Sequence, residues 1–150
     1  MFYSIEEITS LIGAHRYGTA DAQIGWLLTD SRSLIFPETT LFFAIQTSRN
    51  DGHKYIRQLY QRGVRNFVVK SLPENKELYV GANFLKTMDP LKSLQRLAER
   101  HREEFSLPVI GITGSNGKTI VKEWLNQLLS SEMVITRSPR SYNSQIGVPL

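Results

Sequence analysis

Six residues late in the chain, Gly114-Ser115-Asn116-Gly117-Lys118-Thr119, combine the side-chain types that hold a phosphate. Glycines let consecutive backbone N–H groups turn into one concavity, and the N-terminus of a following helix adds positive potential. Lys118 can then reach the β- and γ-phosphates of a nucleotide such as ATP, and the Thr119 hydroxyl can face Mg²⁺. The frequent spacing of such loops is G-x-x-x-x-G-K-[ST], and here Ile112 stands where its first glycine would be. The loop is the shorter G-x-x-G-K-T. A second polar set, Thr29-Asp30-Ser31-Arg32, follows a predicted strand, where open α/β sheets present ligand-binding groups. Ser31 and Arg32 could hold a phosphate or a base edge there, although a turn capped by Asp30 is the commoner use of such residues. Asp51-Gly52-His53 reads as a turn, and His15 and His101 have no evident partner in the sequence.

These groups need a scaffold. Val109, Ile110 and Ile112 make an apolar β-branched run before the loop, and helical periodicity starts at Lys118, so strand, loop and helix follow one another. That helix is expected over about 118–130, burying Val121, Leu125, Leu128 and Leu129, with a strand at 133–136, a polar turn over 137–145 and the start of another element at 146–150. Upstream, Ser4 and Glu7 fit a capping box for a helix with Ile5, Ile8, Leu11 and Ile12 on one face and Gly13 at its end. Residues 14–22 read as a loop and 24–28 as a strand. Leu41 to Ile45 is a continuous apolar run, the pattern of a strand buried on both faces. A helix over 55–62 and a strand over 66–69 complete a βαβ unit, which requires a parallel pair and a right-handed crossover. Tyr79-Val80 and 84–88 suggest short strands. Asp89-Pro90 opens a long helix, Asp as cap and Pro at the first position, with Leu91, Leu94, Leu97, Ala98 and Phe105 as its apolar stripe. Trp26, Phe42, Phe43 and Phe67 are spaced as core residues and not as a platform for bases.

The expected fold class is α/β: a small N-terminal α/β substrate domain over 1–105, then the first βα units of a P-loop NTP-binding domain over 106–150. Composition bounds the function further. With 41% apolar residues a true core can form. The absence of cysteine excludes disulfides and thiolate metal sites. No stretch approaches the length of a membrane span, and the N-terminus lacks the basic and apolar regions of a signal peptide. The net charge is +4, but acids are interspersed with bases, which fits a small anionic substrate better than nucleic acid. The carboxylates after Lys118 are Glu123 and Glu132, both on or beside the first helix, whereas phosphoryl transfer needs an acid on a second strand to hold Mg²⁺. The expectation is therefore the front of an NTP-binding domain.

Several separated motifs are similar to those of the Mur ligases. Thr29-Asp30-Ser31-Arg32, then Pro37 with Leu41-Phe42-Phe43-Ala44-Ile45, then Asp51-Gly52-His53, resemble the N-terminal substrate domain of that family. Ile112 to Thr119 resembles its ATP loop, including the short glycine spacing. Val121-Lys122-Glu123 and the run from Tyr142 to Leu150 resemble the branch that joins D-Ala-D-Ala to UDP-MurNAc-tripeptide. Glu38-Thr39 stands where the family usually has Pro-Gly, and Gln46 to Arg49 departs from its glycine-containing loop, so the register of that loop is open.

The resemblance implies a cytoplasmic, ATP-dependent amide ligase of peptidoglycan synthesis acting through an acyl phosphate. Gly114, Ser115, Asn116, Gly117, Lys118 and Thr119 would hold ATP, with Lys118 catalytic and Thr119 on Mg²⁺. Ser31, Arg32, Thr47, Ser48 and Arg49 would face the uridine diphosphate end, and Asn143 and Ser144 the muramoyl-peptide. The family's acidic and histidine metal ligands, its modified lysine and its amine-binding domain would lie beyond Leu150, so these residues alone are expected to be inactive. Two other readings stay open: a ligase-like region fused to a pyridoxal-phosphate-dependent alanine racemase, which the spelling of residues 138–150 resembles, and a non-catalytic module that binds a UDP-sugar or a partner protein.

Overall fold

The computed structural model describes residues 2–48, 50–138 and 144–149, so Arg49 and Asn143 lie outside the described residues. The chain enters through a short strand, β1 (Tyr3–Ser4), and the helix α1 (Ile5–Ile12). The capping box forms as its residue types require. The Glu7 N–H donates to Ser4 Oγ at 3.2 Å, and the Ser4 N–H donates to Glu7 Oε2 at 2.7 Å. Gly13 ends the helix, and Ile5, Ile8 and Ile12 point into the core. Strands β2 (His15–Tyr17), β3 (Gln23–Ile24), β4 (Trp26–Leu28) and β5 (Thr40–Phe43) follow. Then come α2 (Ile56–Gln61), β6 (Asn66–Val69), β7 (Asn83–Lys86), α3 (Pro90–Glu103) and α4 (Lys118–Leu129).

Five strands make one sheet in the order β2-β7-β6-β5-β4. The four from β4 to β7 are parallel, in the register Leu27↔Leu41, Phe42↔Phe67 and Phe67↔Phe84, and β2 closes one side antiparallel to β7. Strands β1 and β3 form a separate two-stranded pair. The α/β class and the βαβ unit through α2 are as expected. Alternate residues of each strand face opposite ways. Leu41, Phe43, Val68 and Leu85 meet α1 and α3 on one side, with Leu94 and Leu97 of α3. Phe42, Phe67, Val69 and Phe84 meet Ile56 and Leu59 of α2 on the other. This double burial is why β5 and β6 read as continuous apolar runs. Phe42, Phe43 and Phe67 are wholly buried. Each such ring contributes about 1.5–3 kcal/mol of transfer free energy. Because β4 to β7 run the same way, all their carboxyl ends meet at one edge.

Several local expectations fail, each for want or gain of a partner. The polar residues His15 to Tyr17 form a strand, not a loop, because β7 offers an open ladder beside them. Tyr79-Val80 is not a strand: a 3-10 turn at Lys76–Leu78 precedes it, Tyr79 packs on Tyr60 and Phe84, and Val80 is exposed. Trp26 lies half exposed against Phe36, ring centroids 5.0 Å apart, since β4 is the outer strand. Phe105 is likewise partly exposed. No strand is assigned at 109–112 or 133–136, where Val109, Ile110 and Val134 face solvent. A strand needs a ladder, and among the described residues nothing pairs with either run. Helix α4 forms as expected but buries none of its residues, with Val121, Trp124 and Leu128 exposed.

Candidate functional site

Two groups of predicted residues reach defined positions. The first lies at the carboxyl edge of the parallel strands. Beyond β4, Asp30 caps a 3-10 turn over Ser31–Ser33 by accepting the Arg32 N–H at 3.0 Å. The Arg32 guanidinium returns to the same carboxylate, Nε donating to Oδ1 at 3.0 Å and Nη2 to Oδ2 at 2.6 Å. This fork, above all, holds the Asp30 carboxyl down at about 2, and the carboxylate in turn raises Arg32. Arg32 nevertheless projects into solvent, its side chain 88% exposed, so its cationic face remains open to an anion. Ser31 is different. It is buried, and its carbonyl accepts Arg62 Nη1 at 2.6 Å, which ties the turn to the end of α2.

Beyond β5, Gln46 and Asp51 bridge antiparallel and close a narrow loop. Within it the Thr47 N–H donates to the Asn50 carbonyl at 2.8 Å, and the Asn50 N–H donates to Thr47 Oγ1 at 3.1 Å. Ser48 is exposed. Thr47 and Ser48 thus share an edge with Ser31 and Arg32. The base of the loop is the Asp51-Gly52-His53 turn. Asp51 Oδ1 accepts both the backbone N–H of His53, at 2.9 Å, and its Nδ1, at 2.6 Å. The His53 backbone bond is the largest of the causes that lower the Asp51 carboxyl. Gly52 presses on the backbone of Ala44 and Ile45 just past β5, where its N–H donates to the Ile45 carbonyl at 2.9 Å. Tyr55, not singled out in the sequence, donates its hydroxyl to Asn50 Oδ1 at 3.3 Å. Helical periodicity places Tyr55 only at a helix start and carries no sign of this role.

The second group is the glycine loop. Gly114 and Gly117 have φ of 147° and 77°. The second opens α4 in a left-handed conformation that favours glycine. Gly117, the residue at the N-cap of this 12-residue helix, has no side chain with which to cap it. Lys118 reaches across the loop and donates from Nζ to the Gly114 carbonyl. A lysine folded over a concavity of helix N–H groups fits the phosphates of a nucleotide. Thr119 stands at the second helical position. No cluster of three acidic or histidine side chains able to hold a metal occurs among the described residues. Ser144 Oγ accepts the Gly147 N–H at 2.8 Å in a local turn, and the neighbouring Gln145 carbonyl accepts Gln95 Nε2 of α3 at 3.2 Å. Two open clefts, of about 320 and 550 Å³, lie at the opposite end of the sheet near Glu38, Gly63 and Arg65 and include no predicted site residue.

No protein-family model matches the chain. It is 36% identical over 129 residues to the UDP-N-acetylmuramoyl-tripeptide–D-alanyl-D-alanine ligase of Synechocystis sp., covering 86% of this chain and 28% of that protein. It superimposes on the crystal structure of MurF from Acinetobacter baumannii with a TM-score of 0.88 and 25% identity, over 99% of this chain and 32% of that one. The chain belongs to the Mur ligase family. A third likeness is to the MurF ligase of Thermotoga maritima in complex with ADP, with a TM-score of 0.69 and 26% identity over 82% of this chain and 27% of that one. The Mur ligase chain therefore spans about a third, or less, of the length of the relatives it matches.

Proposed function

We propose that this Mur ligase chain is the UDP-sugar-binding and ATP-loop portion of a ligase that joins D-Ala-D-Ala to UDP-MurNAc-tripeptide in the cytoplasm. The observation that carries the reading is the glycine-opened start of α4 with Lys118 folded back over the loop, joined in one chain to a strand edge where the Arg32 guanidinium is open to solvent. A Mur relative bound to ADP supports the same reading of the loop. Residues 1–105 form the unit that takes the uridine diphosphate end, through Arg32 and the loop of Thr47, Ser48 and Arg49. Ser31 shapes the turn, and Asn143 and Ser144 approach the peptide. Residues 106–150 begin the ATP unit, with Gly114 to Thr119 around the phosphates and Thr119 on Mg²⁺.

ATP, as co-substrate, supplies the phosphoryl group that turns an inert carboxylate into an acyl phosphate open to an amine. In that step Lys118 steadies the phosphate charge and the N–H groups of α4 orient it. The 150 residues alone are expected to bind without turning over, because they carry no acid on a second strand to complete the metal site. Calorimetry with Mg-ATP on the wild-type chain and on Lys118→Ala tests this. The expected result is binding weakened at least about tenfold by the substitution, the loss of one charge-assisted contact. Equal binding by the two chains would refute the assignment of the loop. ATP-dependent phosphate release with both substrates would refute the expected inactivity.

A further inference from the structure

The imidazole of His53 is placed between two strand ends. Its Nδ1 faces Asp51 Oδ1 at 2.6 Å, and its Nε2 faces the backbone N–H groups of Lys70 at 3.0 Å and Ser71 at 3.4 Å, just past β6. A backbone N–H can only donate, so Nε2 must be the acceptor, and the single ring proton then sits on Nδ1 and is donated to Asp51. The ring is neutral in this arrangement and has one usable tautomer. The side chain is only 18% exposed, so water does not readily replace either bond. The charged residues beside it are Asp51, which it contacts, Lys54, its chain neighbour, which acts on Asp51, and Lys70 on the strand end opposite, which reaches the ring through its backbone.

We propose that His53 is the positioning residue of the ligand edge: its neutral ring braces the 46–51 loop against the end of β6, and protonation releases that brace. A second proton would set an N–H on Nε2 against the Lys70 N–H, turning an attraction into a donor–donor contact. Asp51, the partner on the other side, would be drawn closer, so the ring would follow the loop and part from β6. His53 touches no substrate atom here. It acts through Asp51, which closes the loop by its bridge to Gln46, and through that loop on Thr47 and Ser48. This rests on the reading that the loop faces uridine diphosphate.

The test uses the full 150-residue chain in four forms: wild type, His53→Gln, His53→Asn and Asp51→Asn. The probe is UDP held in a UDP-sugar, UDP-N-acetylglucosamine, whose diphosphate diester does not titrate between about pH 5 and pH 8. Gln places an amide oxygen where Nε2 was and does not titrate, whereas Asn keeps a donor toward Asp51 and loses the acceptor. Amide exchange at Lys70 and Ser71 is followed by NMR alongside calorimetry at about pH 8 and about pH 5, the range over which histidine changes charge. The wild type should lose about tenfold in affinity for the UDP-sugar on acidification, with faster exchange at Lys70. His53→Gln should bind at both values within about threefold of the wild type at the higher pH, and His53→Asn should show fast Lys70 exchange and weak binding at both. Asp51→Asn should weaken binding at both values, the ring proton having lost its anionic acceptor. Unchanged Lys70 exchange in His53→Asn, or an acid-dependent loss that persists in His53→Gln, overturns the brace. If the wild type does not bind the UDP-sugar at all, the uridine diphosphate reading fails, while the exchange data still decide whether His53 holds β6.

Discussion

Substituting Gly52 by alanine should loosen the candidate edge without touching any polar group on it. A Cβ at this position would lie 2.8 Å from both Cα and the carbonyl carbon of Ala44 and 2.8 Å from the nitrogen of Ile45. All three atoms belong to the backbone just past β5, which is pinned by the Ala44 N–H donating to the Val68 carbonyl at 2.9 Å, so no side chain can swing aside. Restoring normal contact requires roughly half an ångström of movement, and overpacking of this kind costs about 1–3 kcal/mol. Gly52 does not occupy the left-handed region. Alanine therefore returns about 0.4–1 kcal/mol by restricting the unfolded chain. The net expectation is a loss of about 1–2 kcal/mol, which lowers Tm by about 4–8 °C for each kcal/mol in a folding unit of about 60–100 residues. Thermal melting followed by circular dichroism measures this directly. Gly81→Ala, where a Cβ meets nothing within 4 Å, is the comparison that carries backbone strain but no clash. Because the new methyl pushes the Asp51–His53 turn off β5, Gly52→Ala should also weaken UDP-sugar binding, and Gly81→Ala should not. A Gly52→Ala chain that melts at or above the wild-type temperature would show that the close approach to β5 does not exist, and the packing of this turn would have to be redrawn.

Other consequences follow from the core and from one shifted phenol. Phe67→Ala removes a ring that stacks on Phe84 at 5.4 Å and meets Phe42 edge-on at 6.4 Å. That loss should cost about 3–5 kcal/mol, read as a lower urea midpoint with little change in slope. Burial, then the bond donated to Glu104 Oε1 at 2.5 Å, raises the Tyr3 phenol from 10.0 to about 12. A raised acid favours the folded state fully below its unfolded value of 10.0 and loses that contribution as pH rises toward about 12. Stability measured against pH should therefore fall more steeply in the wild type than in Tyr3→Phe above about pH 10, and be parallel below it. Parallel curves throughout would sink the reading.

Much of the fold was legible because local chemistry and final packing agree. Ser4 and Glu7 state a capping box and form one, and Asp89-Pro90 states a helix start and makes it, with Asp89 Oδ1 accepting the Leu91 N–H at 2.9 Å. Leu41 to Phe43 and Phe67 to Val69 are apolar at every position, which only a strand covered on both faces can use. The glycine loop was legible for the same reason: its residue types and the helix after it are contiguous in sequence. What stayed hidden depended on residues far apart. His15 to Tyr17 carry no strand pattern and become β2 only because β7 lacks a neighbour on that side. His101 is one lone histidine on a charged helix in the sequence, yet its Nδ1 lies 2.7 Å from the Tyr3 hydroxyl, 98 residues away along the chain.

The same division runs through the candidate site. Sequence by itself determined the glycine-rich turn that opens α4 under Lys118 and the family to which Thr29 to Arg32 and Asp51 to His53 point, since those properties reside in short contiguous motifs. It also determined that α4 is amphipathic, but an apolar stripe states a need for burial and not what satisfies it. Only the tertiary structure decided that Ser31 is a buried tie to Arg62 while Arg32 is open, because the two differ in which way the turn points them. Only it decided that His53 spans to Lys70 rather than closing a bare turn. Backbone N–H groups at the end of β6 carry no mark in the sequence, and their need for an acceptor appears once parallel pairing sets the two strand ends side by side.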